Sequence, residues 1–530
     1  MKNLVSNILI LFVCLNSAGK DGYKRYLYID IIHYGFNISV SDSSDVIYGQ
    51  AEILIKFSGP TRIIEFDLKN TTSDGKGMKV NSVSLSTGRC TWIHEGDRII
   101  ITTGEPVKAG SELTAYIDYQ GVPADGLIIV NNKYKSRTFF SDHWPDRASN
   151  YLPCIDHPYD KATVDFMITA PVHYEVVANG YLTEESFIHE GTKLTCWKTD
   201  VPLSTKVMAF GAAPFAVQFA GKVKGIPVWT WVFKENREEG FYDYSAALKP
   251  LSFYSELIGP YPFIKLANVQ SKTIFGGLEN AGCIFYSERS VTGDGKVENL
   301  MAHEIAHQWF GNSVTEDDWH HIWLSEGFAT YLTTVYQEMN YGKEKLEENM
   351  KTDRNRVLKY FMRSPGPVID STINNLMKLL NDNSYQKGAW VLHMLRYELG
   401  DDLFWQGIRL YYDRYMYRNA LTEDFKNAME EVSHRDLDQF FYQWLYIAGQ
   451  PDLKFGIIQS PVGGRTEIII EQQQDYLFQF NIELSIKYAG EQVLKKVPVN
   501  ERITRITLET SDKVEIIPDP HTNLLFRIMP

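Results

Sequence analysis

The stretch His303-Glu304-Ile305-Ala306-His307 is the part of this chain from which its organisation can be worked out. Two histidines four positions apart lie on one face of a helix, so both imidazoles can reach a single metal ion. Such a pair favours Zn²⁺, and a catalytic zinc takes three protein ligands and keeps a fourth position for water. We expect one zinc per chain, with Glu326 of Trp323-Leu324-Ser325-Glu326-Gly327-Phe328 as the third ligand. Glu304 is left free to accept a proton from the attacking water.

The motif lies in the most helical part of the chain. Helical periodicity predicts one helix over residues 297–310, ended by Gly311 and Asn312, and a second over residues 322–339. Gly276 and Gly277 follow a predicted strand at residues 266–271 and are typical of a turn or of a close approach of the backbone. Further helices are predicted at residues 241–257, 342–362, 384–399, 402–415, 422–432 and 437–448.

Short strands dominate on both sides of this helical region. Between residues 23 and 219, β-branched and aromatic runs alternate with Gly, Asp, Asn and Ser, which predicts an all-β domain. Alternating strands return after Gly449. At roughly 100 to 200 residues per domain, a chain of 530 residues suggests about three domains. We predict a multidomain α+β fold with an N-terminal β domain at 20–222, a mostly helical catalytic domain at 223–449 and a small C-terminal β-sandwich at 450–530.

Composition narrows the classes of partner. The formal net charge is −13 and no Lys/Arg block is long enough to form a basic patch, which argues against nucleic acid. An acidic protein suits a cationic ligand such as a peptide amine, although solubility explains most of these charges. Cys90, Cys154, Cys196 and Cys283 are too few for a disulfide framework in so long a chain, and their spacing predicts no metal role.

The first nineteen residues differ in kind from the rest. Lys2 precedes a largely apolar run at residues 4–15, and the small residues Ser17, Ala18 and Gly19 follow it. This pattern is typical of a secretory signal peptide at residues 1–19, cleaved near Ala18, and predicts a secreted or periplasmic protein. A retained membrane anchor is the alternative, but the run is short for a span of about 20 residues. We therefore expect no stable membrane span after cleavage.

Taken together, the motifs resemble the zinc aminopeptidases of peptidase family M1, which includes aminopeptidase N and the leukotriene-epoxide hydrolases. The resemblance covers roughly residues 23–451. It implies a thermolysin-like fold for the helical domain and an enzyme that removes the first residue from peptides with a free N-terminus. The motifs that carry it are Leu152-Pro153-Cys154-Ile155-Asp156, Gly276-Gly277-Leu278-Glu279-Asn280, the zinc motif with eighteen residues before Glu326, and Phe440-Phe441-Tyr442-Gln443-Trp444 with Gly449 and Pro451.

Roles in the zinc motif follow from the resemblance. His303, His307 and Glu326 match the zinc ligands of the family, and Glu304 matches its general base. In the implied mechanism Glu304 takes a proton from the attacking water and returns it to the leaving amine.

The resemblance also implies a set of substrate-binding residues. Glu279 matches the carboxylate that holds the α-amine of the substrate, and Gly276, Gly277 and Asn280 belong to the same stretch. A fixed anion beside zinc pairs with an ammonium group and places the first peptide bond over the metal. Tyr385, in Asn383-Ser384-Tyr385-Gln386-Lys387-Gly388-Ala389, matches the tyrosine that hydrogen-bonds the developing oxyanion.

Polar residues between the two ligand helices have less defined roles. Each ligand histidine is expected to bond a further polar group through its other ring nitrogen, with Asp317 and Asp318 among the candidates. His320 and His321 are expected to be structural or surface residues, because three ligands already complete the metal site.

Three departures from the family pattern affect the expected substrate site. Leu278 stands where most relatives have Met, which predicts a reshaped pocket for the first side chain. The segment Ser141-Asp142-His143-Trp144 lacks the glutamine that lines the substrate site in many relatives. Many relatives also continue into a large helical domain that roofs the active site, so we expect a more open cleft or a roof supplied by another chain.

Other functions are compatible with the same residues. A zinc endopeptidase, or an enzyme with both aminopeptidase and epoxide-hydrolase activity, would use the same metal, although Glu279 favours a substrate held by its amine. A non-catalytic peptide-binding protein on this scaffold is the alternative of another class, and the intact metal, base and tyrosine set argues against it. The sequence leaves the preferred first residue and the oligomeric state open.

Overall fold

The computed structural model describes residues 21–189, 191–459 and 464–530. The predicted signal peptide lies outside the described residues and stays a prediction. Within these ranges a strand-rich region comes first, a mostly helical region follows, and strands return at the end. This order confirms the predicted multidomain α+β fold.

The first region contains fifteen strands within the described ranges, arranged in three sheets. Its largest sheet has the order β12-β13-β10-β1-β2-β7-β4, with β14 paired to β10, and β1 runs parallel to β10. Ile53, Ile55 and Phe57 alternate along β2 with more exposed residues, as expected for a sheet with one buried face. The strands are β1 Ile29–Ser39, β2 Ile47–Phe57, β3 Thr61–Asp67, β4 Gly77–Leu85, β5 Cys90–Glu95, β6 Arg98–Val107, β7 Glu112–Val122, β8 Leu127–Asn131, β9 Arg137–Ser141, β10 Lys161–Pro171, β11 Glu175–Ala178, β12 Tyr181–His189, β13 Thr192–Lys198, β14 Leu203–Ser204 and β15 Phe210–Ala213.

A five-stranded mixed sheet begins the central region. Its strands are β16 Phe215–Val223, β17 Ile226–Phe233, β18 Leu266–Ser271, β19 Gly277–Leu278 and β20 Cys283–Ser287, in the order β16-β17-β18-β20-β19. The strands β17, β18 and β20 run parallel, while the short β19 pairs antiparallel with β20 at the edge. The predicted division of the chain at residue 222 falls inside β16, so this sheet begins at Phe215.

The described ranges contain nine α-helices, of which α1, α2 and α3 pack against this sheet. Four of the eight predicted helices, those at 322–339, 342–362, 402–415 and 422–432, are present with ends shifted by no more than two residues. The predicted helix at 241–257 is instead two helices joined by a 3₁₀ turn at Ser245–Ala247. The α-helices are α1 Arg237–Tyr244, α2 Leu248–Leu257, α3 Glu298–Ala306, α4 Trp323–Tyr341, α5 Lys343–Phe361, α6 Gly388–Leu399, α7 Asp401–Tyr415, α8 Thr422–Ser433 and α9 Asp438–Phe441. The short strands β21 Thr315–Glu316 and β22 Asn419–Ala420 pair with each other.

Two predicted helices contain π-helical segments. The helix predicted at 384–399 begins with a π turn over Asn383–Lys387 before α6, and the one predicted at 437–448 is α9 followed by a π segment at Tyr442–Tyr446. Hydrophobic periodicity does not distinguish π from α turns, because the two differ only in the partner of each backbone hydrogen bond.

The helix of the zinc motif is shorter than predicted. It was expected to reach residue 310, but α3 ends at Ala306. The amides of Gln308 and Trp309 bond three residues back, and Gly311 has a positive φ of 119°. A side chain at Gly311 would meet the Ser325 hydroxyl at 2.3 Å, so close packing against α4 forces the chain to turn here.

The C-terminal region forms two sheets, as expected for the predicted β-rich end of the chain. One has the order β27-β24-β23-β29, and the other has the order β26-β25-β28. No helix within the described residues is long and apolar enough to cross a membrane. The strands are β23 Asp452–Gln459, β24 Thr466–Gln472, β25 Phe480–Tyr488, β26 Glu491–Val499, β27 Ile503–Leu508, β28 Glu515–Pro518 and β29 Arg527–Ile528.

Candidate active site

His303 and His307 face the same point although only the first lies within α3. His307 directly follows the last residue of α3, and its backbone still has α-helical angles, with φ −56° and ψ −24°. Its amide bonds the carbonyl of His303 at 3.3 Å, so the spacing of one turn is kept. Glu326 lies in the first turn of α4, which packs against α3. The structure therefore brings together the three predicted ligands.

The donor atoms of these three residues have the geometry of a zinc site. The two Nε2 atoms are 3.1 Å apart, and Oε2 of Glu326 is 3.5 Å from Nε2 of His303 and 3.3 Å from Nε2 of His307. Tetrahedral ligands bound at about 2.0 to 2.1 Å would be about 3.3 Å apart. Since Glu326 Oε2 is also buried without a hydrogen-bond partner in the described ranges, the residues fit a zinc ion.

The other ring nitrogen of His307 lies close to two groups that can hold the ring in place. Nδ1 is 3.3 Å from the carbonyl oxygen of Phe310 and 3.0 Å from the hydroxyl of Ser325. A proton donated from Nδ1 to the carbonyl leaves Nε2 with its lone pair for a metal. The sequence-based candidates Asp317 and Asp318 have other partners: Asp317 bonds Arg25, and Asp318 bonds His320.

Glu304 is buried beside the ligands and directly beneath β19. A β-carbon added to Gly277 would be 2.3 Å from Oε1 of Glu304, so only glycine leaves room for this carboxyl group. Burial raises the pKa of Glu304 to about 8, and the neighbouring Glu279 and Glu326 carboxylates act in the same direction against the opposing charge of His307. A carboxyl group with a pKa near neutrality can both accept and return a proton.

Glu279 follows β19 and borders the same cavity. Its side chain is buried, and Oε1 has no hydrogen-bond partner in the part of the chain that the structure describes. Its backbone carbonyl accepts hydrogen bonds from Gln308 Nε2 at 2.9 Å and Asn312 Nδ2 at 2.5 Å. The segment that carries the zinc motif thus also fixes the position of Glu279. Sequence analysis did not single out Gln308 or Asn312 for this role, and nothing in their spacing signals it.

Two predicted substrate-binding residues of this stretch, Gly276 and Asn280, do not line the cavity. Gly277 borders the cavity, but Gly276 is exposed, and its carbonyl accepts a hydrogen bond from the Ser287 amide at 3.0 Å. Asn280 is buried outside the residues that line the cavity, and neither its side-chain oxygen nor its nitrogen has a partner within residues 21–189, 191–459 and 464–530. The structure therefore places Gly277 and Glu279 in the cavity lining and leaves Gly276 and Asn280 outside it.

Tyr385 reaches the site from the π turn at Asn383–Lys387. Its ring stacks on His303 with centroids 6.0 Å apart and an interplanar angle of 8°. Burial raises the pKa of Tyr385 well above its usual range, and the Glu326 carboxylate adds to this effect. The phenol therefore keeps its proton and can donate a hydrogen bond to an oxygen atom in the cavity.

Apolar side chains complete the cavity wall. Trp144, Phe275, Leu278 and Leu380 line it together with the polar residues described above. Leu278 was predicted from its position in the motif to shape the pocket, and Trp144 belongs to the segment that lacks the family glutamine. Phe275 and Leu380 were missed, because nothing in their local sequence separates them from ordinary core residues.

Comparison with known proteins places this architecture in one family. The Peptidase family M1 domain matches residues 242–444, and the Peptidase M1 N-terminal domain matches residues 31–207. Glutamyl aminopeptidase of Homo sapiens is 26% identical over 481 residues, covering 84% of this chain and 50% of that protein. Endoplasmic reticulum aminopeptidase 1 of Mus musculus is 27% identical over 443 residues, covering 77% and 47%. The chain thus spans about half the length of the curated relatives it matches.

A solved structure shares the fold. The crystal structure of an M1 zinc metallopeptidase from Deinococcus radiodurans superposes with a TM-score of 0.69 at 23% identity, covering 80% of this chain and 95% of that one. The two family matches extend over both the N-terminal β region and the domain that holds the His303, His307 and Glu326 triad. This chain therefore belongs to peptidase family M1.

Proposed function

We propose that this protein is an aminopeptidase that binds one zinc ion per chain and hydrolyses the first peptide bond of substrates with a free N-terminus. The observation that carries the proposal is Glu279, a buried carboxylate on the wall of the cavity that holds the zinc ligands, with one oxygen that has no partner among the described residues. A buried anion without a partner is costly, and a substrate ammonium group would satisfy it. The names of the curated relatives, which are aminopeptidases, support the same conclusion.

In this proposal each side chain has a separate task. Glu279 binds the α-ammonium group and so sets the distance from the N-terminus to the bond that is cleaved. Glu304 accepts a proton from the attacking water and delivers it to the leaving amine. Tyr385 donates a hydrogen bond to the oxyanion that develops on the carbonyl oxygen. Zinc held by His303, His307 and Glu326 would supply the Lewis acidity that polarises the carbonyl and makes water nucleophilic.

A substrate panel tests the proposal. The protein is assayed on amino-acid chromogenic amides and on the same amides with an acetylated amine, before and after dialysis against a chelator and after zinc is restored. We expect hydrolysis of free-amine substrates, loss of activity with the chelator and recovery with zinc. Equal cleavage of acetylated substrates would identify an endopeptidase instead, and the absence of cleavage in every arm would leave a peptide-binding protein.

A further inference from the structure

We propose that the enzyme selects substrates whose first residue has an apolar side chain, which packs against Trp144 and Phe275. This inference rests on the proposed aminopeptidase function, because it takes the amine to be held by Glu279 and the carbonyl to lie at the zinc triad. With those two groups placed, the first side chain must point to a remaining part of the cavity wall. The residues left for it are Trp144, Phe275, Leu278 and Leu380, and all four side chains are apolar.

The wall is held in place before a substrate arrives. The Trp144 ring meets Phe275 edge-on at a centroid distance of 6.1 Å and Trp319 at 5.8 Å. Asp142, two residues before Trp144, accepts hydrogen bonds from the Thr273 hydroxyl at 2.9 Å and the Ile274 amide at 3.2 Å. The segments that carry Trp144 and Phe275 are therefore tied to each other, and the pocket is preformed.

No lysine or arginine among the described residues lines the cavity to receive an acidic side chain. Arg147, beside Phe275, is paired with Asp125 and Asp142, and Lys206, beneath Trp319, is paired with Glu316. The acidic side chains Glu279 and Glu326 also line the cavity, and their carboxylates repel a second carboxylate on the substrate. An acidic first residue is thus disfavoured twice, by repulsion and by the missing partner.

A basic first residue is also disfavoured at the apolar wall. Its α-ammonium group already occupies Glu279, so the side-chain cation would lose its hydration against rings and aliphatic carbons without a compensating anion. An apolar side chain instead gains from leaving water, at about 10- to 100-fold in the specificity constant for a leucine-sized group. The preferred substrates are therefore peptides that begin with Leu, Met or Phe.

The first experiment compares kcat/KM of the zinc-loaded full chain on the 4-nitroanilides of Leu, Met, Phe, Ala, Glu and Lys. We expect the Leu, Met and Phe substrates to exceed the Glu and Lys substrates by about 100-fold and the Ala substrate by about tenfold. Glu or Lys substrates cleaved as well as Leu would overturn the inference and leave the aminopeptidase function standing. Absence of cleavage for every amide would instead reject the proposed function itself.

Variants test whether Trp144 and its neighbours cause the preference. Trp144→Ala should lower kcat/KM for the Phe and Leu substrates about tenfold relative to kcat/KM for the Ala substrate. Trp144→Phe should keep most of the preference for the Phe and Leu substrates. Leu380→Arg, at a partly exposed position across the cavity, should raise kcat/KM for the Glu substrate relative to Leu. Zinc content and thermal unfolding establish that each variant is folded. If Trp144→Ala folds poorly, Leu380→Arg decides alone, and an unchanged Glu-to-Leu ratio in that variant contradicts the proposed wall.

Discussion

Glu304 is deeply buried and lies beside two other carboxylates, which is an unusual setting for an ionisable side chain. Replacing it with Gln keeps the shape but removes the proton acceptor. We predict that Glu304→Gln retains zinc and loses activity by at least about 10²-fold, the lower range for a general base. Metal analysis and kcat on a Leu amide measure the two effects. Full turnover with zinc still bound would remove Glu304 from the mechanism.

Glu279 is the residue that distinguishes an aminopeptidase from a general zinc hydrolase. Its side chain contributes no zinc ligand, so Glu279→Gln should leave the zinc content unchanged. We predict that kcat/KM on free-amine substrates falls by about 10²- to 10³-fold, because the ammonium group loses a buried ionic partner. The matched control is Glu256→Gln, an exposed position in α2, which should behave like the wild type. Equal losses in the two variants would show that Glu279 does not bind the amine.

At the scale of elements, β19 and α3 are in direct contact, and the contact depends on a missing side chain. Gly277 in β19 leaves the space that the Glu304 carboxyl group fills. We predict that Gly277→Ala displaces that carboxyl group and lowers kcat about 10²-fold with little loss of zinc. The matched control is Gly276→Ala, because a β-carbon there has its nearest neighbour, Leu300, at 3.9 Å. Similar activity in the two alanine variants would refute this account.

The 3₁₀ turn before α4 is capped by a charged side chain, so the stability that this cap gives the fold depends on pH. Asp318 accepts hydrogen bonds from the amide and from Nδ1 of His320. Although burial opposes ionisation, His320 holds the pKa of Asp318 at about 2, and the same contact raises the pKa of His320. The Asp318 contribution is present above its unfolded pKa of about 3.9, and the His320 contribution is lost as pH rises through its raised pKa above about 6.5.

It follows that Asp318→Asn, which keeps a cap acceptor but removes the charge, should destabilise the fold more at pH 5.5 than at pH 9. Urea unfolding at the two pH values measures the difference in the free energy of unfolding. The control is His434→Asn, because His434 is exposed and has a left-handed backbone that Asn accepts. The prediction fails if the cost of Asp318→Asn is the same at both pH values.

At the scale of the whole molecule, a buried ion pair joins the N-terminal β region to the catalytic region. Lys206 Nζ lies 2.5 Å from Glu316 Oε1, and both side chains are at most 1% exposed. Removing one partner leaves the other charged and buried, so Lys206→Met should cost about 3 to 5 kcal/mol in the free energy of unfolding. The exposed pair of Lys513 and Glu515 gives the comparison, since Lys513→Met should cost less than about 1 kcal/mol.

A double variant separates the buried charge from the packing at this junction. Replacing Lys206 and Glu316 together with Met and Leu leaves no isolated charge and should recover much of the loss. Urea unfolding of the two single variants and the double variant measures the coupling. An additive result, with the double variant as unstable as the sum of the singles, would show that the pair does not act as one unit.

Several features followed from the sequence because they depend on neighbours along the chain. The spacing of His303 and His307 requires only one turn of backbone, and β18 was predicted at its observed ends from a short apolar run. The family resemblance added Glu279 and Tyr385, whose local patterns alone would not have distinguished them. Patterns of this kind predict the folded structure because they record which face of a helix or strand is buried.

What the tertiary structure decided depends on packing between distant segments. Asp142 meets Thr273 across 131 positions, and this contact places Trp144 opposite Phe275. Helix α3 ends early because Gly311 meets α4, which no periodicity in α3 itself records. The sequence by itself determined a zinc-binding pair of histidines within an α+β chain. Only the tertiary structure determined what surrounds the metal site, because the surrounding residues are brought there by contacts that local sequence does not encode.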